Sequence, residues 1–519
     1  MVEPKLPESQ NVLWKPAWIV FISNACVMTI ELVAGRLIAP YVGVSLYTWT
    51  SIIGVILAGI SVGNFIGGKL ADRFATRRLL GGIFIAAGLG SWSVLLTVGL
   101  FGEAGLPRVE GLPLIARMVM YITLIFAFPS ILLGMISPLV VKLSLNDLAH
   151  SGSTIGRIYA ASALGSIVGT FATGFYLVSA FGTRTILLGV GAVLVAMGLL
   201  FGKWFAGQAR PTIAASAALI GVFVSTLAFP GQLRGPCLRE TDYFCIRVRD
   251  ETRSDGHTYR VLTLDRLVHS YSALDDPTRL VYGYEKIGAE VLAYMAERHD
   301  VVDAFFIGGG GYTLPRYMEA AHPASVIDVA EIDPVVTEVA YGELGLARDS
   351  QIRSFNQDAR LYLLDLNPAR KYNLIIGDAF NDFSVPYHLT THEFNALVRA
   401  HLSDDGIYML NLIDGDGLPF VAAYLRTLRQ TFVHIAVIPT TKNWRQPLRT
   451  TFIVLASPQP IDLVALRQFT GHDDTADVSN WLISEDDVEE IAARATFDLT
   501  DDFVPADNLL AGMFEASAR

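Results

Sequence analysis

Four consecutive glycines, Gly308 to Gly311, follow an apolar run ending in Phe306-Ile307 and precede a helical pattern. Glycines at a strand-to-helix turn let the backbone approach a ligand closely, at the carboxyl end of a sheet where such folds bind ligands. Roughly twenty residues further on, the next apolar run ends in Glu331-Ile332-Asp333-Pro334, which places a carboxylate where a ribose hydroxyl pair would be held. A phosphate at the same helix start is the competing reading, but the segment lacks the Lys and Ser or Thr of a phosphate-cradling loop.

Other residues carry narrower chemistry. His388 and His392 are four apart and share a helix face as metal ligands would, but no third ligand stands at recognisable spacing; helix capping by Thr390 or Thr391, with Glu393 nearby, is the simpler account, and no metal is expected. Cys237 and Cys245, eight residues apart, are close enough to close a small loop by a disulfide, as oxidising compartments favour. Two free thiols in a cytosolic domain would read the same, and Cys26 reads as a packing residue. Glu31 and Arg36 lie inside an apolar run, where an ionisable group marks either a substrate or proton route or a buried ion pair and a snorkelling arginine.

The elements that position the glycine turn are read from periodicity. Short alternating stretches at 243–249, 258–265 and 266–272 predict a small antiparallel β unit with a turn at Asp255-Gly256. Strands at 303–308, 325–331, 372–377, 406–411, 433–438 and 450–456 alternate with helices at 313–321, 333–343, 390–402 and 418–431. That alternation predicts a parallel, doubly wound sheet. Residues 457–519 predict an acidic helical extension with no chemistry of its own.

Composition separates this half from the one before it. The 519 residues are 52% apolar and 17% charged, against about 25% charged in an ordinary soluble chain. Residues 1–236 hold 15 Lys and Arg against 7 Asp and Glu, whereas residues 237–519 hold 24 against 43. Seven apolar runs, near 17–39, 47–71, 79–101, 114–142, 157–181, 184–205 and 212–231, approach the roughly 20 residues that a spanning helix needs. Seven spans over 17–231 are therefore expected, after a tail at 1–16 and before a linker and β unit at 232–300, an α/β domain at 301–456 and the extension.

Basic residues set the orientation, since cytoplasmic loops keep them in excess. Lys5, Lys15, Arg73, Arg77, Arg78, Lys142, Arg157, Lys203 and Arg210 fall on one side, and Arg108 and Arg184 on the other. The N-terminus is thus expected in the cytoplasm, and an odd number of spans delivers the acidic half outside it, as a disulfide would require. The segment Gly67 to Arg73, with Arg77 and Arg78, resembles the loop motif of major facilitator transporters, but a basic anchor explains it as well. No run of basic and aromatic residues suits nucleic acid.

Taken together, Ile307 to Gly310, Glu331-Ile332-Asp333, Asp358-Ala359 and Asp378 resemble the successive motifs of the spermidine synthases, which share the adenosylmethionine methyltransferase (Rossmann-type) fold. Leu262 to His269 resembles their small N-terminal β unit, and the whole chain looks like bacterial multi-pass inner-membrane proteins that carry such a domain. The resemblance implies that Gly308, Gly309 and Gly310 cradle the donor, Glu331 binds the ribose hydroxyls and Asp358 the adenine amine of decarboxylated adenosylmethionine. Asp378 would then receive the attacking amine and accept its proton.

The family's Asp-Gly pair after the third glycine falls here on Gly311 and Tyr312, and its second loop carboxylate on Asn381, with Asp382 adjacent. A tyrosine falls on Thr441, with Trp444 nearby; His269 stands where the family has Gln, and Tyr282 or Tyr284 supplies an aromatic residue beside the amine.

The resulting expectation is a membrane-anchored aminopropyltransferase. It would use decarboxylated adenosylmethionine or adenosylmethionine as co-substrate, with no tightly bound cofactor, and a small cationic amine as acceptor. The lipid bilayer is a partner, and a dimer is one option for assembly. The alternatives are a methyltransferase on the same fold, a diverged domain that binds or senses a nucleoside or polyamine, and a polyamine transporter.

Overall fold

The computed structural model describes residues 16–102, 112–145, 151–202, 235–379, 385–446, 448–466 and 481–513. The chain divides into two compact units, Met1–Val42 with Leu46–Asp242, and Tyr243–Arg519 with Gly43–Ser45.

The first unit is helical. Among the described residues, six helices are long and apolar enough to cross a membrane: Pro16–Val42, Leu46–Phe74, Arg77–Leu100, Ile115–Ser144, Ser151–Phe181 and Thr183–Phe201. The expected seventh span, 212–231, lies outside the described residues. Pro129 sits inside the fourth helix, which is interrupted at Met135 before continuing as Ile136–Ser144. Close backbone approach joins the helices: a Cβ on Gly63 would lie 2.1 Å from the Ile131 carbonyl, and one on Gly165 2.1 Å from that of Phe21. Small residues permit this kind of contact where lipid offers no hydrophobic drive for association. Arg36 does not turn to Glu31; its guanidinium donates to the carbonyls of Thr241 and Asp242. Gly67 to Arg73 is the last part of the second helix rather than a loop.

The second unit opens with three strands of a small antiparallel sheet, β1 (Cys245–Thr252), β2 (Thr258–Leu264) and β3 (Leu267–Ser272). Cys237 and Cys245 are joined by a disulfide, and Cys26 is a free, buried thiol. A helix, Gly283–Ala296, then packs its apolar face into the core with Ile287, Val291, Leu292 and Met295. It falls within the segment read as linker and β unit.

A seven-stranded sheet follows: β4 (Asp303–Ile307), β5 (Val326–Ala330), β6 (Arg353–Phe355), β7 (Tyr372–Gly377), β8 (Leu402–Asp414), β9 (His434–Pro439) and β10 (Thr450–Ser457), in the spatial order β9-β10-β8-β7-β4-β5-β6. The pairs β4–β5, β5–β6, β4–β7 and β7–β8 are parallel. The expectation of an all-parallel sheet is corrected at one edge, because β10 runs antiparallel to both β8 and β9. β6 was missed; it is three residues long and is tied to its neighbour by Arg353, which donates to the buried Asp328 at 2.6 and 2.9 Å. The chain turns outward in both directions from β4, so the ends of β4 and β7 form the switch point where doubly wound sheets open a ligand crevice.

In the C-terminal extension the helix Glu485–Ala493 is capped by Ser484, carries three acids in its first turn and buries Val488, Ile491 and Ala492.

Candidate active site

The two strand ends at the switch point touch. Asp378 N donates to Ile307 O at 3.0 Å, and Gly308 N to Ala330 O at 2.9 Å. Gly308 has φ +96°, and a Cβ there would lie 2.6 Å from the Asp378 carbonyl oxygen. Only glycine meets both demands. Gly309 is held bare by Tyr312, whose ring would lie 2.6 Å from a Cβ at that position. Tyr312 itself adopts φ +55°, a conformation that costs a side-chain residue about 1–2 kcal/mol. Its ring is fully buried and its hydroxyl pairs with Thr337 at 3.1 Å.

Glu331 braces this bend. One carboxylate oxygen accepts from Gly309 N at 2.8 Å and Gly310 N at 3.1 Å, and the other from Asp333 N at 3.0 Å. Burial raises its pKa, and these three hydrogen bonds pull the other way. Carboxylate oxygens have more than one lone pair each, so the brace leaves capacity for a hydroxyl donor.

Asp378 faces a cavity of about 500 Å³. Its carboxylate accepts from Asn411 Nδ2 at 2.7 Å and from the Tyr284 phenol. Burial pushes its pKa up to about 6, against those two bonds. Beside it stands Glu285, only 1% exposed. Burial, reinforced by the Asp378 charge, pushes Glu285 up to about 8, although Tyr282 N donates to it at 3.2 Å. Asn411 is 6% exposed, and its Oδ1 has no hydrogen-bond partner. A buried acceptor in that state seeks a donor.

The remaining walls come from the small sheet and the helix at 283–296. His269, held by its Nδ1 at 2.9 Å from Leu267 O, lines the cavity with Tyr282 and Tyr284. The Tyr282 hydroxyl donates to Val268 O at 3.0 Å. Ser270, 2% exposed with no partner for its Oγ, occupies the space of any side chain at 311, since a Cβ on Gly311 would lie 1.8 Å from that oxygen.

Structure therefore brings His269, Tyr282, Tyr284, Asp378 and Gly308 to Gly310 around one cavity. Glu331 meets the glycine bend through Gly309 N and Gly310 N and is not among the residues that line this cavity. Asp358 is also set apart: it caps the helix Ala359–Asp365 through Arg360 N (2.9 Å) and Leu361 N (3.1 Å), and its other oxygen pairs with His388 Nε2 at 2.8 Å. Burial opposes its ionisation, but the His388 bond and the two backbone amides hold it below the usual carboxylate range.

Trp444 belongs elsewhere. Its ring meets Phe452 edge-on at 6.3 Å, carries the Arg445 guanidinium at 4.8 Å, and lines a separate groove with Asp416 and Asp487. Asp382 lies outside the described residues. His388 and His392 do not converge: the first turns to Asp358 while Thr391 caps the helix His392–His401. Among the described residues no three His, Cys, Asp or Glu side chains form a metal cluster.

Sequence reading missed Glu285 and Asn411. The available signal for Asn411 was an amide within the apolar run Met409-Leu410-Asn411-Leu412; for Glu285 it was an acid opening a helix next to Tyr284.

No protein-family model matches the chain. Over 106 residues it is 35% identical to a polyamine aminopropyltransferase from Vibrio vulnificus, a stretch covering 20% of this chain and 36% of that protein. Over 129 residues it is 29% identical to a probable polyamine aminopropyl transferase from Bifidobacterium longum, covering 24% and 28% respectively. The chain thus spans about a third of the length of these curated relatives. Among solved structures, a probable spermidine synthase from Corynebacterium glutamicum aligns with a TM-score of 0.44 at 20% identity, covering 50% of this chain and 95% of that one. Over this part of its length the chain is related to the spermidine synthases, the polyamine aminopropyltransferases.

Proposed function

We propose that the protein is a membrane-anchored transferase that moves an alkyl group, an aminopropyl chain in the first instance, from an adenosylmethionine-type sulfonium to an amine. The observation that carries this reading is the pair of adjacent acceptors at the switch point, the Asp378 carboxylate and the partnerless Asn411 Oδ1. An attacking amine presents several N–H groups, and these two oxygens would hold it with its lone pair directed away from the carboxylate.

The step balances as a displacement at carbon. The amine nitrogen forms a bond to the methylene beside the sulfonium, the carbon–sulfur bond breaks, and its electron pair neutralises the sulfur as a thioether. A free amine has a reference pKa near 10 and is mostly protonated at neutral pH, so loss of a proton must accompany attack. Asp378, pushed up to about 6 by burial, is a stronger base than an ordinary aspartate and still mostly ionised at neutral pH. The adenosine part would lie along the glycine bend, with Glu331 reaching a ribose hydroxyl.

The names of the Vibrio and Bifidobacterium relatives support this reading. The six apolar helices support membrane anchoring, and the Cys237–Cys245 disulfide together with the basic-residue count supports an extracytoplasmic second unit. The engaged oxygens of Glu331 and Asp358 favour a second reading, a domain that binds a nucleoside or polyamine without turnover.

Incubating the detergent-solubilised full chain with adenosylmethionine or its decarboxylated form and a panel of amines, read by mass spectrometry, separates the readings. Alkylated amine that appears with wild type and disappears with Asp378→Asn supports transfer. Ligand binding with no product from either donor overturns transfer in favour of the second reading.

A further inference from the structure

Glu285 is the second enclosed carboxyl of the cavity, and the proposed displacement leaves it without a role. The helix Gly283–Ala296 fixes its place: it is the third residue of that helix and closes a capping box, with Tyr282 N donating to it at 3.2 Å. Capping does not call for enclosure, since the same bond forms at an exposed helix start. Yet this carboxyl is shut away from water beside Asp378, whose charge reinforces the rise that burial gives it. Among the described residues no lysine, arginine or histidine ion-pairs with it, Arg266, His269 and Arg449 of the same cavity wall included. A carboxylate enclosed without a cation costs several kcal/mol, so the group keeps its proton until a cation arrives.

Glu285 also adjoins the far end of the glycine bend. The Thr313 hydroxyl acts on the Glu285 carboxyl and favours its charge. That hydroxyl lies 3.4 Å from the place a Cβ on Gly311 would take, and Ser270 Oγ lies 1.8 Å from the same place. The two hydroxyls thus meet over the last glycine of the bend, and the Ser270 oxygen is enclosed there without a hydrogen-bond partner. Together with Glu285 they form a polar recess in the cavity, on the side where the adenosine part of a donor would lie.

Hydroxyls accept as readily as they donate, so the acid decides which charge the recess prefers. A primary ammonium brings three N–H donors to three acceptors. A carboxylate would instead meet like charge from Glu285 and Asp378.

We infer that Glu285 holds the primary ammonium of the donor's tail, with the Ser270 and Thr313 hydroxyls as its other acceptors. This deepens the proposed transfer and rests on it. Asp378 receives the attacking amine, whereas Glu285 grips the amine already carried by the transferred chain and takes no part in the bond changes.

Proton linkage supplies a readout that helix capping would not move. Glu285, pushed up to about 8 chiefly by burial, is mostly protonated at pH 7. An ammonium placed against it favours the carboxylate, so binding expels the proton. The probes are two unreactive thioethers of equal length, S-adenosyl-3-thiopropylamine and 5′-propylthioadenosine, which differ only in the terminal ammonium. Each is titrated into the detergent-solubilised full chain by calorimetry, in two buffers of different ionisation enthalpy, and the product thioether 5′-methylthioadenosine is titrated separately to report the adenosine site. At pH 7 the amine-bearing probe should bind about tenfold more tightly than its partner and release about one proton, and 5′-propylthioadenosine should release none. Glu285→Gln should erase the preference and the release while 5′-methylthioadenosine still binds. In the wild type at pH 9, where Glu285 is already mostly ionised, the release should largely vanish. Equal affinity of the two probes, no proton released at pH 7, an undiminished release at pH 9, or a release that survives Glu285→Gln overturns the assignment and leaves the transfer reading standing. Failure of all three thioethers to bind the wild type overturns the adenosine reading, and this assignment with it.

Discussion

Asn411 donates its amide N–H to the Asp378 carboxylate at 2.7 Å and keeps its own carbonyl oxygen buried and without a partner. The amide thereby orients the carboxylate and contributes a second acceptor next to it. If the pair binds the attacking amine, Asn411→Leu should lower affinity for the amine and leave 5′-methylthioadenosine binding intact. Asp378→Asn should reduce transfer by the roughly 10²- to 10⁴-fold typical of a lost general base. Steady-state rates across a series of amine concentrations distinguish the two effects.

Acidification should slow the reaction. With Asp378 pushed up to about 6, the fraction able to accept a proton falls as pH drops through that value. The pH profile of turnover should therefore carry an acidic limb near 6, above the ordinary aspartate range. A limb near 4 would place the base in a more solvated setting.

Glu285 ties stability to pH in a defined direction. Its ordinary value is 4.5 and burial takes it to about 8. Between those values the folded state binds more protons than the unfolded one, so stability falls as pH rises from about 4.5 through 8. Glu285→Gln, which cannot ionise, should flatten that dependence. Melting curves at pH 5, 7 and 9 would reveal it, with the variant gaining most relative to wild type at the highest pH.

The brace under the glycine bend should be needed for nucleoside binding. Glu331→Gln leaves an acceptor on only one side, and hydrogen bonds to a charged partner are worth about 1.5–3 kcal/mol. A loss of roughly tenfold to a hundredfold in 5′-methylthioadenosine affinity is expected from that range. Gly308→Ala should be more damaging, because both the left-handed backbone and the Asp378 carbonyl oppose a methyl group there. Affinity and melting temperature should fall together in that variant.

The disulfide gives a count. Unfolded without reductant, the chain should expose one reactive thiol, that of Cys26; unfolded with reductant, it should expose three. Maleimide mass labelling reads both numbers directly.

Much of this architecture is legible from apolar periodicity. The strand at 372–377 and the helix at 313–321 are the observed Tyr372–Gly377 and Thr313–Ala321, because each is bounded by turn residues and buried on the expected face. Strand direction is not written in such patterns, so the antiparallel course of β10 could not be read. Arg353–Phe355 is too short to show a period at all. Asp378, Tyr282, Tyr284 and His269, distant in sequence, line one cavity. Asn411 escaped notice because its partner is 33 positions away in the chain, across the β7–β8 pairing, and only tertiary structure makes them neighbours. Trp444 misled because it is near in sequence to the end of β9 but turns to Phe452 and Arg445.

Because Asp378 N is bonded to the Ile307 carbonyl and Gly308 lies against the Asp378 carbonyl, the group proposed to meet the attacking amine and the loop proposed to meet the adenosine are parts of one backbone junction. Their spacing is set by main chain, which a side chain at position 308 would disturb and exchanges elsewhere in the cavity wall would not. The cavity walls at Arg266, Ser270 and Arg449 belong to other segments. Substitutions in those walls can therefore change which molecule is admitted and leave this junction in place.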